Sequence, residues 1–264
     1  MELRKEICLA YGKRGFKNNS NNNTKVILKI IKLRQQRAEL LGYKSYADFI
    51  LEERMATSVL NVKKFLDDLS KKALPVAKKE WKIMSEFAKK ELDLDELEKW
   101  DTAFVAEKLK QKELRLNEQE LKPYFPLESV LNGLFKIAGL LYEIEFKVNN
   151  KLDVYHEDVK AFEVYRKGEF YALFYADFFP RPGKRNGAWM TSYRSQNKNQ
   201  RPHISIVCNF TKPTEKEPSL LTFQEVTTLF HEFGHALHGI LANTNYSSLS
   251  GTNVFWDFVE LPSQ

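Results

Sequence analysis

His231 and His235 stand four residues apart, with Glu232 directly after the first, a His-Glu-x-x-His pattern. On a helix, positions i and i+4 lie one turn apart on one face, so two imidazoles can share one tetrahedral zinc ion. Glu232 lies beside that face rather than on it. A carboxylate placed there reaches a metal-activated water without becoming a ligand, which is what a general base requires. A catalytic zinc also needs a third protein ligand and one open position. His238 shares the face of His235, but it lies about 10 Å along the helix axis from His231, too far to close the same site. It also occupies the place where the longer three-histidine pattern has its glycine, which excludes that class. Asp257 and Glu260 follow in GTNVFWDFVELPSQ, a segment with helical spacing after a Ser/Gly/Asn turn. Glu260 comes 25 residues after His235, leaving room for a loop and an antiparallel return. This spacing favours a His-His-Glu site.

The histidines need a helix to hold them, and Leu221 to Ala242 predicts one. Thr222 followed by Glu225 reads as a capping box, with Leu221 and Val226 as its hydrophobic staple. Val226, Leu229, Phe230, Phe233, Leu237, Ile240 and Leu241 make one apolar stripe, and the two histidines lie on the opposite side. Glu225 is most simply the capping carboxylate, and His238 a structural or solvent-facing residue. Asp257, one turn before Glu260, is placed either to orient a ligand histidine or to pair with a nearby Lys or Arg. Upstream, Ala161–Arg166 and Glu169–Phe178 predict a hairpin around Lys167-Gly168. Gly187–Tyr193 and His203–Phe210 predict two more strands. The small residues Gly187 and Ala188 would let a peptide backbone align closely along that strand; the alternative is an ordinary strand in a small sheet.

The first three fifths of the chain predict helices. Val26, Ile27, Ile30, Ile31 and Leu33 share a face. Ser58 is placed to cap a long helix that Pro75 would kink without ending, and another helix starts near Pro126. The texture changes near residue 152, which suggests a helical region over 1–152 and a sheet with the chemistry-bearing helices over 153–264. The 264 residues are 43% hydrophobic and 29% charged, enough for a core and unlike a disordered chain. The longest apolar run, Tyr171 to Phe179, contains Asp177 and is far short of the ~20 residues a membrane helix needs. The N-terminus lacks the apolar stretch of a secretory signal, and the two cysteines show no pairing pattern; both predict a cytoplasmic protein. The net charge of +6 comes without a basic-aromatic stripe, so no nucleic-acid partner is expected.

FHEFGHALHG followed by SLSGTNVFWDFVELPSQ strongly resembles the thimet oligopeptidase and peptidyl-dipeptidase family of zinc metallopeptidases. LKPYFPLESVLNGLF, DFFPRPGKRNGAWM, HISIVCNFTKP, ELLGYKSYADFILEERMA and VYHEDVKAFEVY are also similar to family sequence. The resemblance covers most of the chain from about residue 25. It implies a mainly α, zincin-like fold of the gluzincin type, with a small antiparallel or mixed sheet beside the His-Glu-x-x-His helix. The helical region would then form a channel wall, and the rest a partial catalytic domain. It implies one zinc held by His231, His235 and Glu260, with Glu232 as base, hydrolysing short peptides as an oligopeptidase or dipeptidyl carboxypeptidase. Family members are longer. The resemblance therefore also implies partnership with N- and C-terminal parts of the same enzyme, or, as the alternative, a catalytically incomplete zinc-binding fragment that only binds peptides or partners.

Overall fold

In a computed structural model, which describes residues 2–115 and 117–264, the helical and alternating patterns separate into two compact units, Met1–Leu116 and Asn117–Gln264. The first unit contains α1 (Glu2–Gly12), α2 (Thr24–Leu40), α3 (Tyr46–Leu51), α4 (Val59–Glu91) and α5 (Thr102–Leu114). Ser58 caps α4, its side chain accepting from the Asn61 N–H at 3.2 Å, and the helix continues through Pro75. Ala88, Leu94, Leu97 and Val105 form the buried core of this unit, with Phe87 and Phe104 packed on it. Asp101 is fully buried and pairs with Arg4 at 2.7 Å. The apolar face of α2 forms as its spacing predicts, but Val26, Ile27, Ile30, Ile31 and Leu33 are all exposed.

The second unit holds α6 (Glu118–Leu121), α7 (Leu127–Tyr142), β1 (Ile144–Val148), β2 (Lys160–Arg166), β3 (Glu169–Asp177), β4 (Trp189–Arg194), β5 (His203–Val207) and α8 (Phe223–Ile240). Its five strands form one mixed sheet in the order β1-β2-β3-β5-β4. Only the β3–β5 pair is parallel; the other pairs are antiparallel. β2 and β3 meet at Lys167 (φ +51°) and Gly168 (φ +82°), two positive-φ residues that make a tight turn matched to the strand twist. β4 lies at one edge of the sheet.

The inward residues of α7, the sheet and α8 share one core. Leu131 and Leu134, Phe162, Phe174, Ile204 and Ile206, and Leu229, Phe233 and Ile240 are all buried in it. Phe135, Phe146, Phe174 and Phe233 interlock through stacked and edge-on ring contacts. Two backbone hydrogen bonds tie the entries of α7 and α8 together, Leu127 N–H to Ser219 O at 2.8 Å and Leu221 N–H to Phe125 O at 2.9 Å. The protein is thus mainly α with a small mixed sheet beside α8. Packing places α7 and β1 with the sheet, although both precede the change of texture near residue 152. That change marks where aromatic strands begin, whereas membership of a unit follows from where an apolar face is buried.

Candidate metal centre

The site is built on α8. Its first turn is closed by a reciprocal cap: the Glu225 N–H donates to Thr222 Oγ1 at 3.1 Å, and the Thr222 N–H donates to Glu225 Oε2 at 2.7 Å. Burial of Leu229, Phe233, Ala236 and Ile240 fixes the rotation of the helix. His231 and His235 are then presented together, their ring centroids 4.8 Å apart.

Glu260 reaches them from a run of turns rather than from a second α-helix. The helical spacing of GTNVFWDFVELPSQ, residues 251–264, predicts a helix there. Instead residues 256–260 make successive turns, followed by a single 3₁₀ turn at Leu261–Ser263. The aromatic and β-branched residues Val254, Phe255, Trp256, Phe258 and Val259 are mediocre helix formers, and Pro262 removes a donor. The turn is closed by Ser263, whose Oγ donates to Glu260 O at 2.7 Å.

This arrangement brings Glu260 Oε2 within 3.3 Å of His231 Nε2 and 3.2 Å of His235 Nε2. The three donor atoms all lie within 4.8 Å of one another. Ligands at 2.0–2.2 Å around a tetrahedral zinc are separated by about 3.4 Å, so two nitrogens and one carboxylate oxygen in this set suit that ion. His235 is 9% exposed, and burial lowers its pKa, with His231 also lowering it and Glu260 opposing. The neutral ring this favours is the ligating form. Its Nδ1 is buried and has no hydrogen-bond partner. Glu232 is 7% exposed, and burial raises its pKa, opposed by His231 and reinforced by Glu260. A carboxyl shifted upwards in this way is a better proton acceptor near neutral pH than a solvated one.

Gly234 permits the approach of the Glu260 segment. A Cβ at that position would lie 2.6 Å from Ser263 Cα and 2.9 Å from Pro262 O. The glycine inside the His-Glu-x-x-His pattern is therefore a contact surface. One turn on, a Cβ at Gly251 would meet Gly239 Cα at 3.0 Å, so the loop leading to Glu260 also packs backbone against backbone. Sequence reasoning gave Gly251 only a turn and Gly234 no role, since only the partner segment reveals the contact. Asp257 lies in the same run of turns and is exposed. The His238 Nδ1 is buried without a partner, and its ring packs against Phe258 at 6.4 Å between centroids, consistent with a structural residue.

The donors and Glu232 open onto a cleft of about 490 Å³, whose other walls include Ala188, Trp189 and Met190. Ala188 therefore faces the site. Gly187 precedes it at φ +100°, where glycine is needed for the backbone angle, because a Cβ there would meet nothing within 4 Å. Its carbonyl accepts from Asn209 Nδ2 at 2.7 Å, which anchors the entry to β4. The loop before it is held by Asp177, 1% exposed at the end of β3. Arg181 and Lys184 both reach the Asp177 carboxylate at 2.8 Å, and Tyr155 Oη donates to it at 2.9 Å. Lys184 Nζ also donates to the carbonyls of Phe179 and Cys208, at 2.7 and 2.6 Å. The signal for this hub was an aspartate inside an otherwise apolar run, since a buried carboxylate demands cations.

The family model for peptidase family M3 matches residues 1–264. The chain is 41% identical to oligopeptidase A of Escherichia coli over 273 residues, covering 99% of this chain and 40% of that protein. It is 39% identical to dipeptidyl carboxypeptidase of the same organism over 265 residues, covering 99% and 39%. A thimet-like oligopeptidase of Dictyostelium discoideum is 34% identical over 280 residues, covering 100% and 41%. The chain thus spans about two fifths of the length of the curated relatives it matches. With a match along its whole length, the chain belongs to peptidase family M3.

Proposed function

We propose that this chain carries the metal centre of a zinc-dependent peptidase that hydrolyses short peptides, as an oligopeptidase or dipeptidyl carboxypeptidase. The convergence of His231 Nε2, His235 Nε2 and Glu260 Oε2 carries the reading. These three atoms would hold one zinc. Bound there, zinc supplies a Lewis acid that polarises a scissile carbonyl and acidifies water. Glu232, buried beside the donors and not one of them, takes the proton from the attacking water on its carboxylate and later returns it to the leaving amine nitrogen. β4, as the edge strand bordering the cleft, offers a ladder along which a substrate backbone can lie, with Ala188 at its entry and Gly187 setting the turn before it. Asp257, three residues before Glu260, would orient a ligand histidine. Names of relatives such as oligopeptidase A and dipeptidyl carboxypeptidase support peptides as the substrate class.

The test is hydrolysis of an internally quenched peptide by the zinc-loaded chain, with and without a chelator. Chelator-sensitive cleavage is expected. Stoichiometric zinc without cleavage would instead favour a zinc-binding fragment that binds peptides or partners without turnover.

A further inference from the structure

Two Asn-Gly pairs occur in the sequence, Asn132-Gly133 and Asn186-Gly187. Such a pair can cyclise, because glycine has no Cβ to hinder its nitrogen from reaching the preceding side-chain amide. The surroundings of the two pairs differ. Asn132 is exposed, but it sits inside α7, where the Gly133 N–H belongs to the hydrogen-bond ladder of the helix. The helix must open there before that nitrogen is free. Asn186 and Gly187 lie instead in an exposed bend between β3 and β4, and Gly187 has φ +100°. Among the described residues, neither the Asn186 side-chain amide nor the Gly187 N–H has a hydrogen-bond partner. A Cβ at position 187 would meet nothing within 4 Å, so the space around the pair is open. The carbonyls on either side are nevertheless held by one side chain. Asn209 Nδ2 donates to Arg185 O at 3.0 Å and to Gly187 O at 2.7 Å.

We propose that Asn186-Gly187 is a site of spontaneous modification, at which the chain converts to isoaspartate and loosens the entry to β4. The Gly187 nitrogen attacks Asn186 Cγ. The new N–Cγ bond forms as the Cγ–Nδ2 bond breaks, and the amide nitrogen leaves as ammonia with the proton from Gly187. Water then opens the cyclic imide, its hydroxyl going to a carbonyl carbon and its proton returning to the Gly187 nitrogen. Where the hydroxyl adds to the former main-chain carbonyl carbon, that C–N bond breaks. The backbone then runs through Cβ and Cγ, one atom longer, and a free carboxylate is left. The extra atom lies between the two carbonyls that Asn209 clamps, so a single amide no longer reaches both. Ala188 is the next residue and lines the cleft, so the loosened entry is part of the cleft wall. The modification follows from the chain's own chemistry and is independent of the peptidase reading.

The test is ageing of the purified folded chain in mildly alkaline buffer, with isoaspartate located by electron-transfer mass spectrometry of its peptides. A second sample is aged in urea. In the folded chain, isoaspartate should form at Asn186 at least about 10-fold faster than at Asn132, since about 1.4 kcal/mol of helix opening slows a reaction that much. In urea the two rates should converge. Amide hydrogen exchange at residues 188–190 should quicken on ageing by about 3-fold or more, as loss of a hydrogen bond of modest strength implies. It should stay unchanged in identically aged Asn186→Gln, whose side chain is one methylene too long to cyclise readily. Equal rates at the two pairs in the folded chain, or isoaspartate at Asn186 only in urea, overturns the site. Exchange that stays constant while isoaspartate accumulates overturns the loosening of β4.

Discussion

The carboxylates of Glu232 and Glu260 lie on one helix face and its partner turn, yet their surroundings push them towards different work. Glu260 is exposed, and its Oε2 lies 3.3 Å from His231 Nε2 and 3.2 Å from His235 Nε2, the position of a donor rather than of a base. Glu232 is buried, and its raised pKa fits a group that must accept a proton and hand it on. Glu232→Gln should leave zinc bound and reduce hydrolysis of a quenched peptide by about 100-fold or more, a typical contribution of a general base; normal turnover in that variant would remove Glu232 from the mechanism. Asp177 is a second buried carboxylate with a different task. Burial would raise its pKa, but hydrogen bonds from Arg181, Lys184 and Tyr155 outweigh that and leave it below the ordinary carboxylate value. A carboxyl whose pKa is lowered on folding stabilises the fold fully above its unfolded value of about 4, and that stabilisation is lost as pH falls through the folded value. The destabilisation of Asp177→Asn, measured by urea unfolding, should therefore be full at pH 6 and shrink below about pH 4. A deficit that stays constant down to pH 2.5 would contradict the charged hub.

At the scale of elements, the site depends on how closely a turn can approach a helix. Adding a methyl group at Gly234 would favour α8 by about 1 kcal/mol in intrinsic helix propensity. The same methyl would meet Ser263 Cα at 2.6 Å, a backbone atom that yields only if the Glu260 segment moves. Gly234→Ala should thus leave the helix intact by circular dichroism and weaken zinc binding by about 10-fold or more, as displaced supporting contacts typically do. Unchanged zinc affinity would show that the close approach is incidental. Thr222→Ala removes one side of the capping box, and thermal unfolding should report a loss of about 1 kcal/mol; no change would mean that core packing alone starts α8. These elements were unequally legible. The cap, the apolar stripe and the paired histidines of α8 are local patterns, and each appears where its spacing places it except at Phe230, which the stripe included but which is 40% exposed. The helix expected around Glu260 is a run of turns, because its apolar spacing coincides with poor helix formers and a proline. β1, with Ile144, Phe146 and Val148 alternating against Glu145 and Lys147, carried a readable period of two that the preceding helical pattern obscured. The contact at Gly234 was not legible at all, since the absence of a side chain says nothing about what comes close.

For the molecule as a whole, all three donor residues and the base belong to the unit Asn117–Gln264, which has its own core of aromatic and aliphatic residues. The first unit has a separate, smaller core around Ala88, Leu94, Leu97 and Val105. Zinc binding should therefore slow amide hydrogen exchange within residues 117–264, most strongly in α8 and the Glu260 turns, and leave residues 2–115 unchanged. Protection spread evenly over both units would contradict a site housed in one of them. Composition and periodicity had suggested a boundary near residue 152, but burial assigns α7 to the sheet it covers, a relation of packing that hydrophobic spacing along the chain does not encode. The central claim is that His231, His235 and Glu260 together hold one metal ion, and elemental analysis after dialysis against zinc and desalting tests it most directly. The account predicts one zinc per wild-type chain and less than about 0.1 in His235→Ala, since two remaining ligands hold zinc poorly. A wild-type chain free of zinc, or a variant that retains it in full, would contradict the account.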